Sequence, residues 1–506
     1  MKIKLTLLLS LCMLTLVSMS GNDMNKPNVI IILADDLGFG DVHLLNNTSK
    51  IPTPHLDQMG KDGMIFTDAH SGSAVCTPTR YGVLTGRYCW RTWKKRGVLN
   101  GYDRHLIDPD RSTVADVFKS AGYATGCIGK WHLGMDMPFK HDRPDRPKGE
   151  AYLDVSQAID NGPTENGFDY YYGISASLDF PPYQFIENDH FVGASDRIFD
   201  ASGFPMYRRK GEGNADFVHT DCLDVLTAKA KAFIDEHQED PFFLYFPLTA
   251  PHKPVAPHPR FRGLSKMGHY GDFVMQVDWT VGQILDQLKQ LNIDENTMVI
   301  LTSDNASFMY QVDRTDKYDH CHVADSSMQA FDVKNHRSNY QFRGTKADIW
   351  EGGHRVPFMV KWPKGVKTAT RCDETICLTD FYATFCELLN LNHDRNAAGE
   401  DSFSFLPLLQ GHEKMREEPV INHSSGGMFA IRNKDWKLVL GNGSGGREAP
   451  RGNAFAGPYQ LYNLSTDISE SVNVYDENTN VVEEMLKTFD LIFERTETKV
   501  KHKNIE

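Results

Sequence analysis

Cys76 opens the run Cys76-Thr77-Pro78-Thr79-Arg80, with Leu84-Thr85-Gly86 behind it, and its setting reads as a helix start. Proline suits the first turn of a helix, where its missing N–H costs no hydrogen bond. Such a start gathers unpaired N–H donors and partial positive charge, so it favours an anion or an activated nucleophile. A lone cysteine is more often a buried apolar residue. What raises this one is a set of polar clusters that each follow an apolar run. Asp35-Asp36 and Asp304-Asn305 offer hard oxygen ligands for a cation. Lys130 and His132 flank a tryptophan as an anion-binding and proton-transfer pair, and His252 follows a further run. Lys346 lies in a segment whose glycines permit close backbone approach.

The elements that must position these residues are legible around them. Residues 28–33, 123–128, 241–246 and 297–302 are aliphatic or aromatic runs, which suit strands of a parallel sheet covered on both faces. In open α/β sheets ligands gather beyond the carboxyl ends of strands, where Asp35, Lys130, His252 and Asp304 fall. Residues 65–69 and 358–363 read as further strands. Residues 52–60, 112–119, 215–236 and 377–391 read as helices, and 270–291 repeats apolar residues at the three-and-four spacing of a helix packed on the sheet. Residues 135–214, rich in Pro, Gly, Asp and aromatics, read as irregular loops that carry selectivity. The His-rich stretch 313–339, with His320, His322 and His336, lacks clean zinc spacing and reads as a substrate-facing loop. After Gly411 the pattern changes to short alternating strands and one helix near 481–495. The expected fold class is therefore α/β: a large mixed, mostly parallel sheet sandwiched by helices, plus a small C-terminal antiparallel sheet with one helix. The domains expected are a signal peptide at 1–20, a catalytic unit at 26–411 and a C-terminal α+β subdomain at 412–506.

At 506 residues and 40% hydrophobic content the chain can bury a large core. The net charge of -13 argues against nucleic acid as a partner, so an anionic substrate needs a local cationic pocket. Lys2 and Lys4, an apolar run over 5–17 and Ser18-Met19-Ser20 form a secretory signal, and no later stretch suits a membrane span. The expectation is an exported protein, periplasmic or secreted, with no stable membrane insertion. Nine cysteines show neither a dense disulfide framework nor a paired zinc pattern, and no disulfide pair is named by the spacing.

These motifs, in this order, resemble the type I, formylglycine-dependent sulfatases, the arylsulfatase-like family of the alkaline phosphatase superfamily. The likeness runs from Asp35-Asp36 through Cys76–Arg80, Gly129-Lys130-Trp131-His132, Ala250-Pro251-His252 and Ser303-Asp304-Asn305 to Lys346 before Glu351-Gly352-Gly353. It covers nearly the whole mature chain. One departure is Ala306, where the family commonly has glycine after the Asp-Asn pair. The resemblance implies that Cys76 is converted to formylglycine by a maturation enzyme, and that its hydrate is the nucleophile. It implies one Ca2+ held by Asp35, Asp36, Asp304 and Asn305 and touching the modified Cys76. Lys130, His252 and Lys346 would contact the sulfate, with His252 or a lysine protonating the leaving oxygen. Arg80 would steady the formylglycine, and His132 would take the proton from its second hydroxyl. The implied activity is sulfate monoester hydrolysis on sulfated saccharides, exo-acting on glycosaminoglycan, mucin-type or algal sugars. Within these, the lean is to galactose or N-acetylgalactosamine carrying a 4- or 6-sulfate. Tyr102, Asp103, Arg104, Asp179, His336 and His423 are the candidate sugar contacts. The alternatives are a phosphodiester or phosphonate monoester hydrolase of the same superfamily and an inactive sulfated-glycan binding protein.

Overall fold

The computed structural model describes residues 26–140, 151–313, 322–324, 329–413 and 416–502. The leader read in 1–20, together with His320 and Cys321, lies outside them. The main sheet takes ten strands: Asn28–Asp35 (β1), Met64–Phe66 (β2), Ala124–Lys130 (β3), Tyr170–Ile174 (β4), Ile186–Glu187 (β5), His190–Phe191 (β6), Phe242–Pro251 (β7), Thr297–Ser303 (β8), Phe358–Lys361 (β9) and Thr370–Cys372 (β10). Their spatial order is β10-β2-β9-β8-β1-β7-β3-β4-β5-β6. The centre, β8-β1-β7-β3-β4, is parallel throughout, and β9 joins β8 antiparallel.

β1 shows why the sheet needs two covers. Every one of its residues is buried, and because side chains alternate along a strand, Val29, Ile31 and Leu33 enter one core while Ile30, Ile32 and Ala34 enter the other. The first core is closed by helices Cys76–Thr85 (α2), Val114–Ser120 (α3) and Phe381–Leu388 (α6). The second is closed by Pro54–Lys61 (α1), Cys222–Glu236 (α4) and Gly268–Gln290 (α5). α5 buries Phe273, Val277, Val281, Ile284 and Leu288, the stripe read in the sequence. At α3 the Thr113 hydroxyl accepts from Asp116 N at 3.2 Å and the Asp116 carboxylate accepts from Thr113 N at 2.8 Å, a reciprocal cap.

Three sequence expectations change here, one being that the helix expected over 215–236 starts only at Cys222. Residues 135–214 are not wholly irregular: Tyr170–Ile174 pairs in parallel with β3 and extends the main sheet. Its five-residue run is too short for periodicity to separate from the Pro- and Asp-rich loops around it. The helix expected over 377–391 is shorter, because Ile376 and Cys377 pair with the strand Ala69–His70 before α6 starts at Phe381.

After residue 411 the strands Val420–His423 (β11), Phe429–Asn433 (β12), Trp436–Val439 (β13) and Gln460–Asn463 (β14) form an antiparallel sheet with the helix Thr479–His502 (α7). This sheet shares its apolar core with Tyr88, Trp90 and Cys377 of the larger unit. Asn422 Nδ2 donates to the Ser71 carbonyl at 2.9 Å, and Ala74 N donates to the His423 carbonyl at 2.9 Å. The C-terminal sheet thus braces the loop that leads into Cys76. Among the described residues Cys76, Cys89, Cys127, Cys222, Cys372, Cys377 and Cys386 are free thiols, and no helix is long and apolar enough to cross a membrane.

Candidate active site

Cys76 is the first residue of α2, after an extended Val75, and is buried. Around it converge the carboxyl ends of β1, β3, β7 and β8. Lys130 ends β3 and its ammonium donates to Asp35 Oδ2 at 2.7 Å. Asp35 ends β1 and lies 3.8 Å from Cys76 Sγ. Lys346 Nζ lies 3.2 Å from the same sulfur and also donates to Asp36. Asn305 Nδ2 donates to Asp36 Oδ1 at 2.6 Å, and Asp304 accepts from the Asp36 amide at 3.3 Å.

Backbone geometry is spent to aim these groups. Asp36, His132 and Ala347 hold φ of 67°, 58° and 86°, in a region that costs non-glycine residues energy and persists where surroundings over-determine it. Each adjoins or is a site residue. The Lys346 loop is folded so tightly that a Cβ on Gly352 would meet the Gly344 carbonyl oxygen at 2.4 Å, and one on Gly353 the Asp348 oxygen at 2.0 Å. Ala306 is buried and its N–H donates to the Gly353 carbonyl at 3.2 Å. It is not among the positive-φ residues, so the turn accepts its methyl.

The electrostatics call for a cation. Asp35, Asp36 and Asp304 are all fully buried and close enough to shift one another. Burial raises Asp35, but Lys130, with His252, Arg80 and Lys346, holds it well below the usual carboxylate range. Burial and the Asp35 charge push Asp36 up despite Lys346, and push Asp304 up to about 6. Three carboxylates face the three cations Arg80, Lys130 and Lys346, which leaves no net positive charge for an anionic substrate. Asp36 Oδ2 and Asn305 Oδ1 are buried with no hydrogen-bond partner. Donor atoms of Asp35, Asp36, Cys76 and His252 lie within 4.8 Å of one another. Orphaned oxygens on hard ligands fit a divalent oxygen-seeking ion.

The two histidines are set differently. His132 Nε2 donates to the Leu99 carbonyl at 2.7 Å, which leaves Nδ1 as a buried lone pair without a partner. Burial, then Lys130 and Arg80, holds its pKa well below 6.5, so the ring is neutral and able to accept a proton. His252 Nδ1 donates to the Lys253 carbonyl, and Nε2 lies 3.6 Å from Asp36 Oδ2. Burial and Lys346 also lower it. Arg80 spends its hydrogen bonds on Asp304 Oδ2, at 3.0 and 2.7 Å, and on the Lys130 carbonyl at 3.0 Å. It therefore fixes Asp304 and Lys130 rather than donating to Cys76 itself.

The candidate sugar contacts separate. Asp179 comes close to the site, 3.9 Å from His252 Nδ1 and paired with Arg209. Arg104 stacks on the exposed Trp93 at 4.9 Å, and the Asp103 carboxylate accepts from Asn100 N at 2.8 Å. Tyr102 is buried with its hydroxyl donating to Glu212 at 3.1 Å. His336 is buried against Asp41, 2.8 Å away, and Phe331. It does not line a substrate-facing loop, because the Asp41 carboxylate draws it inward. His423 is buried against Phe429 at 4.8 Å. Thr77 carries a role the sequence reading did not assign: its hydroxyl donates to the His132 carbonyl at 3.0 Å and accepts from Leu99 N at 3.1 Å. Its adjacency to Cys76 was the only signal available for it. Lys253, beside His252, was also passed over.

A parallel-centred sheet with a buried carboxylate, lysine and histidine cluster at its strand ends defines a hydrolase site of the alkaline phosphatase-like fold. Residues 27–391 match the sulfatase family model, and the chain belongs to that family of sulfuric ester hydrolases. It is 34% identical to an N-acetylgalactosamine-6-O-sulfatase of Bacteroides thetaiotaomicron, over 92% of this chain and 93% of that protein. It is 27% identical to the mouse N-acetylgalactosamine-6-sulfatase, over 82% and 72%. A solved Bacteroides thetaiotaomicron protein described under the metabolism of multiple glycosaminoglycans superposes with a TM-score of 0.79 at 31% identity, covering 92% of this chain and 99% of that one.

Proposed function

We propose that this sulfatase removes the 6-sulfate from N-acetylgalactosamine in sulfated saccharides of the glycosaminoglycan type, acting from chain ends. The names of the relatives at 34% and 27% identity support the sugar and the position. One observation carries the chemistry: Cys76 sits at the start of α2 with Lys346 at 3.2 Å and the Asp35–Lys130 pair beside it. Burial pushes the Cys76 thiol up to about 12 despite Lys130 and Lys346, so the unmodified side chain stays protonated and is a poor nucleophile. Conversion of Cys76 to formylglycine by a maturation enzyme answers this, because the hydrated aldehyde supplies one hydroxyl for attack and a second for release. Asp35, Asp36, Asp304 and Asn305 would hold one Ca2+, which supplies positive charge where sulfate oxygens gather.

The chain's own groups do the rest. Lys130 and Lys346 bind the sulfate oxygens and offset charge that grows in the transition state. His252, once protonated at Nε2, or a lysine of the pocket delivers the proton to the leaving oxygen. His132 Nδ1 accepts the proton released on the Cys76 side, while its bond to Leu99 keeps the ring in the accepting tautomer. Arg80 and Thr77 hold Asp304, Lys130 and His132 in register. The signal read in 1–20 supports export to the periplasm or beyond. The catalytic unit is drawn at 26–411 and the subdomain at 412–506.

Peptide mass spectrometry of protein matured in a host with the converting enzyme should find an aldehyde in place of the Cys76 thiol. That protein should release sulfate from N-acetylgalactosamine 6-sulfate faster than from the 4-sulfate or from galactose 6-sulfate. Turnover of phosphodiesters far above that of sulfate esters would overturn the reading, as would glycan binding without sulfate release.

A further inference from the structure

Beside His252 stand cations that the proposed sulfate pocket does not use. Lys253 follows His252, and its ammonium stands 4.5 Å from the Tyr207 ring centroid. Arg209 stands 5.6 Å from the same ring and 3.8 Å from Phe180. It is held there by Asp179, whose carboxylate it pairs with and whose carbonyl accepts from it at 3.2 Å. The C-terminal part of the chain brings Arg447, whose amide donates to Asp348 Oδ1 at 2.6 Å, two residues past Lys346. Among the described residues neither the Lys253 ammonium nor the Arg447 guanidinium makes an ion pair. Asp179 is spent on Arg209, and Asp348 accepts from the amides of Thr345, Arg447 and Glu448.

We propose that Lys253, Arg209 and Arg447 form a second anion subsite beside the sulfate pocket, which takes a carboxylate or a second sulfate on the same saccharide. The inference rests on the saccharide sulfatase reading above and deepens it. In the proposed mechanism the scissile sulfate is bound by Lys130 and Lys346, so Lys253 has no assigned partner. A neutral sugar would leave Lys253 half-buried without an ion-pair partner, an arrangement that costs energy until an anion arrives. In a chain of net charge -13 such a concentration of positive charge is a local feature, suited to drawing in a polyanion.

The test compares three substrates on the matured full chain: N-acetylgalactosamine 6-sulfate, its 4,6-disulfate, and a disaccharide joining the 6-sulfated sugar to a uronic acid. A charge-assisted contact predicts kcat/KM about tenfold or more higher for one of the doubly charged substrates. The substrate that responds identifies a sulfate or a carboxylate as the natural occupant. In Lys253→Gln and Arg447→Gln, kcat/KM for that substrate should fall about tenfold further than for the monosulfate. An equal fall for all three would show that Lys253 only packs on Tyr207, and would overturn the proposal. So would a wild type without preference. Calorimetry on Cys76→Ala with the same saccharides separates the two readings. Tighter binding of a doubly charged sugar, lost with Lys253→Gln, supports the subsite even where no sulfate is released. Brisk hydrolysis of the monosulfate without discrimination sinks the subsite and leaves the sulfatase reading standing.

Discussion

At the scale of single residues, the site is built by giving each polar atom one task and leaving a few without any. His132 Nδ1, Asp36 Oδ2 and Asn305 Oδ1 are buried and unpartnered, which a folded protein tolerates where a substrate, ion or proton will complete the bonding. The dependence on Cys76 is the sharpest consequence. Cys76→Ala removes a small buried side chain, so stability should change by about 1 kcal/mol, while sulfate release should fall on the order of 10⁶-fold, the scale of losing a nucleophile. Denaturation curves and single-turnover assays of the same preparation check both halves; retained turnover would contradict the assignment. Calcium belongs to this scale too. With Asp35, Asp36 and Asp304 crowded together, adding Ca2+ to metal-stripped protein should raise its melting temperature, since a ligand that binds only the folded state stabilises it. Differential scanning fluorimetry with and without chelator reads this, and Asp36→Asn should shrink the shift.

Helices and strands present these residues through bonds that cross between elements. α1 has no side-chain bond at its own N-cap, Thr53. Asp278 of α5 supplies one, accepting from Leu56 N at 2.8 Å. Burial pushes the Asp278 carboxyl up to about 7, against the amides of Leu56 and His55. Between the ordinary carboxylate value and about 7 the folded chain keeps a proton that the unfolded chain has released. Its contribution is therefore fully present at low pH and lost as pH rises through 7. Asp278→Asn should flatten that component, so the stability of the variant relative to wild type should be more favourable at pH 8 than at pH 5. Urea denaturation at the two pH values measures the difference. The same cross-element logic explains the helix and strand bounds. The apolar runs and caps of β1, β8, α3 and α5 were plain in the sequence because they repeat locally, whereas Tyr170–Ile174 is a strand chiefly because β3 lies beside it.

For the whole molecule, the ten-stranded and C-terminal sheets are joined by buried charge as well as apolar surface. Lys437 of β13 donates to Glu351 Oε1 at 3.0 Å and lies 2.8 Å from Glu470 Oε1, with all three side chains fully buried. Glu351 follows the Lys346 loop and its amide donates to Glu470 at 2.6 Å. Burial raises Glu351, but Lys437, His70, His354 and Arg432 hold it well below the usual range. Burial and Glu351 push Glu470 up to about 7 against Lys437. Removing Lys437 leaves two buried carboxylates short of a partner, so Lys437→Met should cost about 3–5 kcal/mol. Because the two parts share a core, fluorescence and circular dichroism should report one coincident unfolding transition in that variant.

The sequence by itself determined which polar residues gather at the edge of the sheet. Asp35, Lys130, His252 and Asp304 each sit at or just past the end of an apolar run, and a parallel sheet brings the carboxyl ends of its strands to one edge whatever the loops do. Cys76 was legible for a similar reason, since a helix start is written in the residues around it. Tertiary structure decided what surrounds that cluster. Tyr102, His336 and His423 carry the right chemistry for sugar hydroxyls, yet Glu212, Asp41 and the Phe429 core hold them inside. Lys253 and Arg209, which no motif marked, both reach the Tyr207 ring because separate loops of the chain pack there. Selectivity depends on which loops touch, and that is settled by the packing of the whole chain.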